Sequence, residues 1–225
     1  MTQETFRLLE TYMLSCTADS AHDAEHVYRV LYNALEIAAG EANVDYDVLI
    51  TACLLHDIGR KEQFADPALC HAAVGSEKAR IFLTGQGFTE EFTARVCHCI
   101  YTHRFRRAAP PQTVEAKILF DADKLDVTGA IGIARTLLYQ GKMSYPLYAL
   151  RPDGTVSDGT AETSETFFQE YKFKLEKLYT SFLTETGARL ARERRTAAES
   201  FYQNLYRECA RGYETGTRIL QRFLD

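Results

Sequence analysis

The chain reads as an all-α protein, and three observations carry that reading. Apolar residues recur at three- and four-residue spacing along most of its length. The five prolines fall between those stretches rather than inside them. Alternating, strand-like runs are weak throughout.

Taken in order, residues 2–16 (TQETFRLLETYMLSC) form an amphipathic helix with Phe6, Leu9 and Met13 on one side. Asp19 and Ser20 are N-cap candidates for a second helix running to Ala39, where Gly40 supplies the stop. A third helix spans Tyr46 to Asp57. Leu49, Ile50, Cys53 and Leu54 make it strongly apolar, so it belongs in the core, and Gly59 ends it. Asp66-Pro67 is expected to open the next helix, which closes near Gly85–Gly87. Helices over 89–103 and 112–127 flank Pro110-Pro111, and another runs from Thr128 to Tyr139. Residues 140–160 (QGKMSYPLYALRPDGTVSDGT) are rich in glycine, proline, serine and aspartate and read as a loop of the kind that forms lids. Two long helices are expected at 162–184 and 187–209. Phe167, Phe168, Leu175, Leu178, Phe182 and Leu183 must pack within the same domain or at a homodimer interface. Lys172, Lys174, Lys177 and the run Arg192, Glu193, Arg194, Arg195 read as a solvated face laced with i,i+4 pairs.

The 225 residues allow one large domain: a core over 20–140, the loop 140–160 and a C-terminal helical extension over 161–225. Hydrophobic residues are 46% and charged residues 25%, enough for a core that needs no disulfide staples. Of the six cysteines, none forms a CxxC pair; Cys53 and Cys70 read as buried thiols. The N-terminus MTQETFRLLE is polar and acidic, unlike a secretory leader, and no apolar run approaches the roughly 20 residues that span a bilayer. A cytoplasmic protein is expected. The net charge of −5 argues against general binding to DNA or RNA, but a local basic pocket would still admit a small anion.

The chemistry gathers around histidine and aspartate. All six histidines (22, 26, 56, 71, 98 and 103) lie in the first half of the chain. His56-Asp57, in ACLLHDIGR, follows an apolar run that must be buried. An aspartate there is costly unless it is paired or bound to a metal; a simple His–Asp helix cap is the alternative. His26 lies on a helix with Arg29 and Val30, and His22 shares its face. Asp123 and Asp126, in DADKLD, are three apart beside the apolar Ile118-Leu119-Phe120. Each element alone has an ordinary structural explanation.

In this order, HxxRV, LLHDIG and DADKLD resemble the HD superfamily, whose pattern is His … His-Asp … Asp on separate helices. The resemblance implies an all-α HD-domain helical bundle with additional C-terminal helices, and His26, His56, Asp57 and Asp123 as metal ligands. CHAAVGSEKARIFL and CIYTHRFRR look like the added histidine elements of two-metal members and imply a second position at His71 and His103, with Asp57 bridging. DADKLDVTGAIGIAR, followed by KLYTSFLTETGARLARERRTAAESFYQNL, looks like a bacterial branch that includes nucleotide-hydrolysing members. The resemblance covers about residues 20–205.

Imidazole and carboxylate ligands suit manganese, magnesium, iron, cobalt, nickel or zinc, one or two ions per chain. The expected activity is metal-dependent hydrolysis of a phosphoester or phosphoanhydride in a nucleotide or similar small phosphate. Asp57 and Lys61 are the expected catalytic residues. Arg60, Lys61, Lys124 and Arg104 would meet the phosphate, with Arg106 and Arg107 extending a basic rim. Asp126 would orient a ligand from behind, while His22 and His98 read as structural. Two other readings stay open. One is a di-iron HD-type oxygenase, which would consume dioxygen. The other is a catalytically silent nucleotide-binding module, which would bind without turnover.

Overall fold

The computed structural model describes residues 1–17, 24–104, 110–160 and 163–224. These residues divide into two compact units.

The first unit comprises Met1–Asp126 and Leu183–Gly187. Its helices are α1 (Gln3–Thr17), α2 (Ala24–Ala38), α3 (Tyr46–Leu55), α4 (Arg60–Ala65), α5 (His71–Gly85), α6 (Glu90–Thr102) and α7 (Val114–Leu125). α3 is apolar on every side and packs against α1, α2, α6 and α7, which makes it the core of the unit. Asp45 starts it by accepting hydrogen bonds from the Asp47 and Val48 amides. Thr89 and Thr113 cap α6 and α7 in the same way.

The second unit comprises Val127–Phe182 and Ala188–Asp225. It holds α8 (Gly129–Lys142), α9 (Phe167–Phe173), a 3-10 turn (Leu175–Thr180) and most of α10 (Glu185–Leu224). Phe167, Phe168 and Tyr171 are fully buried, and Tyr171 stacks on Tyr202 with ring centroids 4.0 Å apart. No helix among the described residues is long and apolar enough to cross a membrane.

Several boundaries differ from the sequence expectations. Asp66-Pro67 does not open a helix. Asp66 ends the short α4, its amide donating to the Glu62 carbonyl and its carboxylate accepting from the Ala68 amide. That local turn competes with helix, so α5 waits until His71. The expected helix over 162–184 is broken. Thr166 caps α9 only at Phe167, and the backbone leaves helical geometry at Lys174. Within that stretch Leu178 and Phe182 are half-buried and Leu183 is exposed. α10 continues past Cys209 to Leu224, because Gly212 and Gly216 weaken a helix without ending it. The loop begins only after Lys142 and folds on itself through a bridge between Leu150 and Val156. Cys53 is buried as expected, whereas Cys70, at the start of α5, is only half-buried. Asp19, Ser20, His22, Arg106 and Arg107 lie outside the described residues.

Candidate metal centre

Helix ends build the site. His56 follows the last turn of α3 and His103 the last turn of α6. A helix end leaves carbonyls without intrahelical partners. His56 Nδ1 donates to the Cys53 carbonyl at 2.7 Å, and His103 Nδ1 donates to the Ile100 carbonyl at 2.6 Å. A carbonyl can only accept, so the proton sits on Nδ1 and each Nε2 carries a lone pair.

The other two histidines are fixed by side chains. His26, in the first turn of α2, donates through Nδ1 to Asp126 Oδ2 at 2.7 Å. Arg29 Nε holds the other oxygen of Asp126 at 2.7 Å. His71, the first residue of α5, donates through Nδ1 to Gln63 Oε1 at 2.6 Å, and Gln63 Nε2 donates to the Leu69 carbonyl.

All four Nε2 atoms therefore point inward, in pairs. His26 and His56 bring theirs to 3.4 Å, and His71 and His103 to 3.3 Å. Between the pairs lies Asp57, in the turn after α3. Its Oδ2 faces His26 Nε2 at 3.4 Å and His56 Nε2 at 3.7 Å. Its Oδ1 faces His71 Nε2 at 3.3 Å and His103 Nε2 at 3.8 Å and accepts from Arg60 Nε at 2.9 Å. Asp123, in the last turn of α7, places Oδ1 3.4 Å from His26 Nε2. Two triads result, His26–His56–Asp123 and Asp57–His71–His103, with the ligand atoms of each within 4.8 Å of one another. Both could hold a metal ion.

Electrostatics fit a cation. Asp57 is buried, and its Oδ2 accepts no hydrogen bond from the described residues. Buried carboxylate oxygens are rarely left so. Burial pushes the Asp57 carboxyl up, but the charges of His56, Arg60 and His26 outweigh it and hold it well below the usual carboxylate range. The same contest lowers Asp123, through its hydrogen bond and charge pairing with His26. Burial pulls His26 down, yet its pairing with the Asp123, Asp126 and Asp57 carboxylates raises it to about 10. This pocket thus demands positive charge, and without a metal a proton supplies it. Burial lowers His71 to about 2 and His103 to about 4, which leaves both imidazoles neutral and able to ligate. Asp123 alone among the two triads is more than slightly exposed, at 25% of its side chain, and marks the side open to solvent.

The expected substrate residues are placed differently from one another. Arg60 is tied to Asp57, and Arg104 lies 3.2 Å from His71 Nδ1. Lys61 is exposed on α4. Lys124 sits over the Phe120 ring, 4.4 Å from its centroid. His98 accepts from the Gln112 amide and belongs to neither triad. Sequence reasoning missed Gln63, which carries no motif, and the link from Arg29 to Asp126, although HxxRV contained the arginine.

The HD-domain family model matches residues 23–128. The crystal structure of a predicted HD superfamily hydrolase from an uncultured Thermotogales bacterium is 30% identical, with a TM-score of 0.60, over 92% of this chain and 91% of that one. The chain belongs to the HD superfamily. This HD protein is also similar to a Bacillus thuringiensis HD-superfamily hydrolase, at 26% identity and a TM-score of 0.70 over 92% and 97% of the two chains. YpgQ of Bacillus subtilis (strain 168) is 29% identical over 206 residues, 89% of this chain and 91% of that protein. The crystal structure of Bacillus subtilis YpgQ in complex with ADP aligns with a TM-score of 0.71 at 26% identity, over 91% and 95% of the chains. The HD relatives support the hydrolase class.

Proposed function

We propose that this HD protein is a metal-dependent phosphohydrolase that cleaves a phosphoester or phosphoanhydride bond of a nucleotide. The observation that carries the reading is the pair of inward-facing imidazole sets joined by the buried Asp57. The donor set fits a divalent ion: His26, His56, Asp57 and Asp123 would hold it, and Asp57, His71 and His103 offer a second position. When bound, such an ion lowers the pKa of water and polarises a phosphoryl oxygen.

The chain's own residues do the rest. Asp126 and Arg29 lock the His26 ring so that Nε2 faces the pocket. The Cys53 and Ile100 carbonyls do the same for His56 and His103. Asp57 joins both sets through its two oxygens and is the residue on which activity depends. Lys61, four residues after Asp57 and on the exposed side of α4, would bind a phosphoryl oxygen. Arg60 and Arg104 would orient the phosphate, and Lys124 would steer the anion from the last turn of α7. A nucleotide is favoured because its relative YpgQ has been crystallised with ADP.

The test is phosphate or pyrophosphate release from a nucleotide panel, using metal-stripped protein resupplied with each divalent metal. Metal-dependent release that vanishes in Asp57→Ala, with helical circular dichroism unchanged, is the expected result. Full turnover in Asp57→Ala would sink the assignment.

A further inference from the structure

The two triads match in geometry and differ in charge. Each offers two imidazole Nε2 atoms and a carboxylate oxygen, with the imidazole nitrogens 3.4 Å apart in one and 3.3 Å apart in the other. The His26–His56 side has Asp123 to itself and shares Asp57 through Oδ2, which no described donor touches. His26 is backed by the Asp126 carboxylate, which strengthens the imidazole as a ligand. The His71–His103 side has no carboxylate of its own in its triad. Its share of Asp57 is Oδ1, and that oxygen already accepts from the Arg60 guanidinium at 2.9 Å. His71 is backed by the neutral amide of Gln63, with the Arg104 guanidinium 3.2 Å from the same ring nitrogen, and His103 by a backbone carbonyl.

We propose that Asp57–His71–His103 is the weaker of two cation positions, filled only when a bound phosphate group supplies the negative charge that the protein withholds there. This rests on the hydrolase reading above. A phosphate at this end acts twice. It adds charge beside the cation, and it gives the Arg60 guanidinium a better-matched acceptor, which frees Asp57 Oδ1 to ligate. The two ions therefore enter in a fixed order: one at His26–His56 in the resting protein, the other with substrate. One unshared carboxylate at contact distance makes the second position on the order of a hundredfold weaker or more in the absence of phosphate.

The test counts bound ions. Metal-free protein is titrated with manganese(II) alone, then with a non-hydrolysable nucleoside diphosphate analogue present, followed by calorimetry and electron paramagnetic resonance. One tight ion per chain is expected without the analogue, and a second with it, giving a spin-coupled signal from ions bridged by Asp57. His71→Ala should bind the first ion unchanged and lose the second, which separates the site from metal merely carried in by the analogue. Arg60→Met should strengthen the second position roughly tenfold without any phosphate, since it removes the competing cation. Two ions of equal affinity without the analogue would overturn the proposal. So would a single ion at saturating analogue in an enzyme that still hydrolyses nucleotides, and that result would leave the hydrolase reading standing. Protein that binds no ion at all would overturn both.

Discussion

His26 shows how one residue is tuned by groups remote in sequence. Its Nδ1 leans on Asp126 at 2.7 Å, a contact 100 residues away along the chain, and Arg29 holds that carboxylate in place. The buried carboxylate both fixes the ring and raises its basicity. Asp126→Asn keeps an acceptor near Nδ1 but removes the charge. It should weaken binding at the first metal position by roughly 10–100-fold. Calorimetry with a single divalent metal measures this, and circular dichroism should show the helices intact. An unchanged affinity would mean that Asp126 only fills space.

At the scale of elements, the turn between α3 and α4 sets where Asp57 points. Gly59 lies so close to α5 that an added Cβ would stand 2.4 Å from the His71 carbonyl and 2.6 Å from the Gly75 amide. Both neighbours are backbone and cannot step aside. Gly59→Ala should therefore cost about 1–3 kcal/mol by thermal or urea unfolding, and it should weaken metal binding as well, because His71 moves with its carbonyl. The start of α3 carries a second prediction. Asp45 accepts from the Asp47 and Val48 amides and from Arg95 at 2.7 Å. Burial raises its pKa, but those hydrogen bonds outweigh burial and hold it below the usual value. A carboxyl lowered in the folded state stabilises fully above its unfolded pKa of about 3.9, and loses that contribution as pH falls through the folded value. Asp45→Asn still caps the helix but cannot titrate. The difference in stability between wild type and variant should thus shrink as pH drops below about 4; a constant difference from pH 7 to pH 3 would refute it.

For the whole molecule, the centre draws ligands from α2, the turn after α3, α5, α6 and α7, so a metal there ties the first unit together. A ligand that binds only the folded state stabilises it by mass action, about 2.7 kcal/mol at a hundredfold excess over its dissociation constant. Removing metal with a chelator should lower the melting temperature, and adding back divalent metal should restore it. Asp57→Ala should melt at the same temperature with or without metal. Against the acidic net charge of −5, Arg60 and Arg104, beside Asp57 and His71, are a local exception. Raising ionic strength should accordingly slow capture of an anionic substrate more than it changes turnover at saturation.

The sequence by itself determined the helical class, the apolar core helix α3 and the ligand candidates. Those signals are local: a 3.6-residue apolar period, a histidine beside an aspartate after a buried run, and three motifs in a set order. It also located the second histidine pair, through motifs on α5 and α6. Only the tertiary structure decided what holds those side chains in place. Gln63 meets His71 because α4 folds back after the Gly59 turn, and no spacing rule announces that contact. Asp121, two residues from a ligand candidate, accepts hydrogen bonds from the Leu183 and Thr184 amides more than sixty residues on. The break inside the expected helix 162–184 was equally hidden, since periodicity continued across it while Thr166 caps α9 only at Phe167 and the backbone leaves helical geometry at Lys174. Helix periodicity is written by neighbours three and four residues apart. The direction of an imidazole lone pair is set by whichever acceptor the fold brings to its other nitrogen.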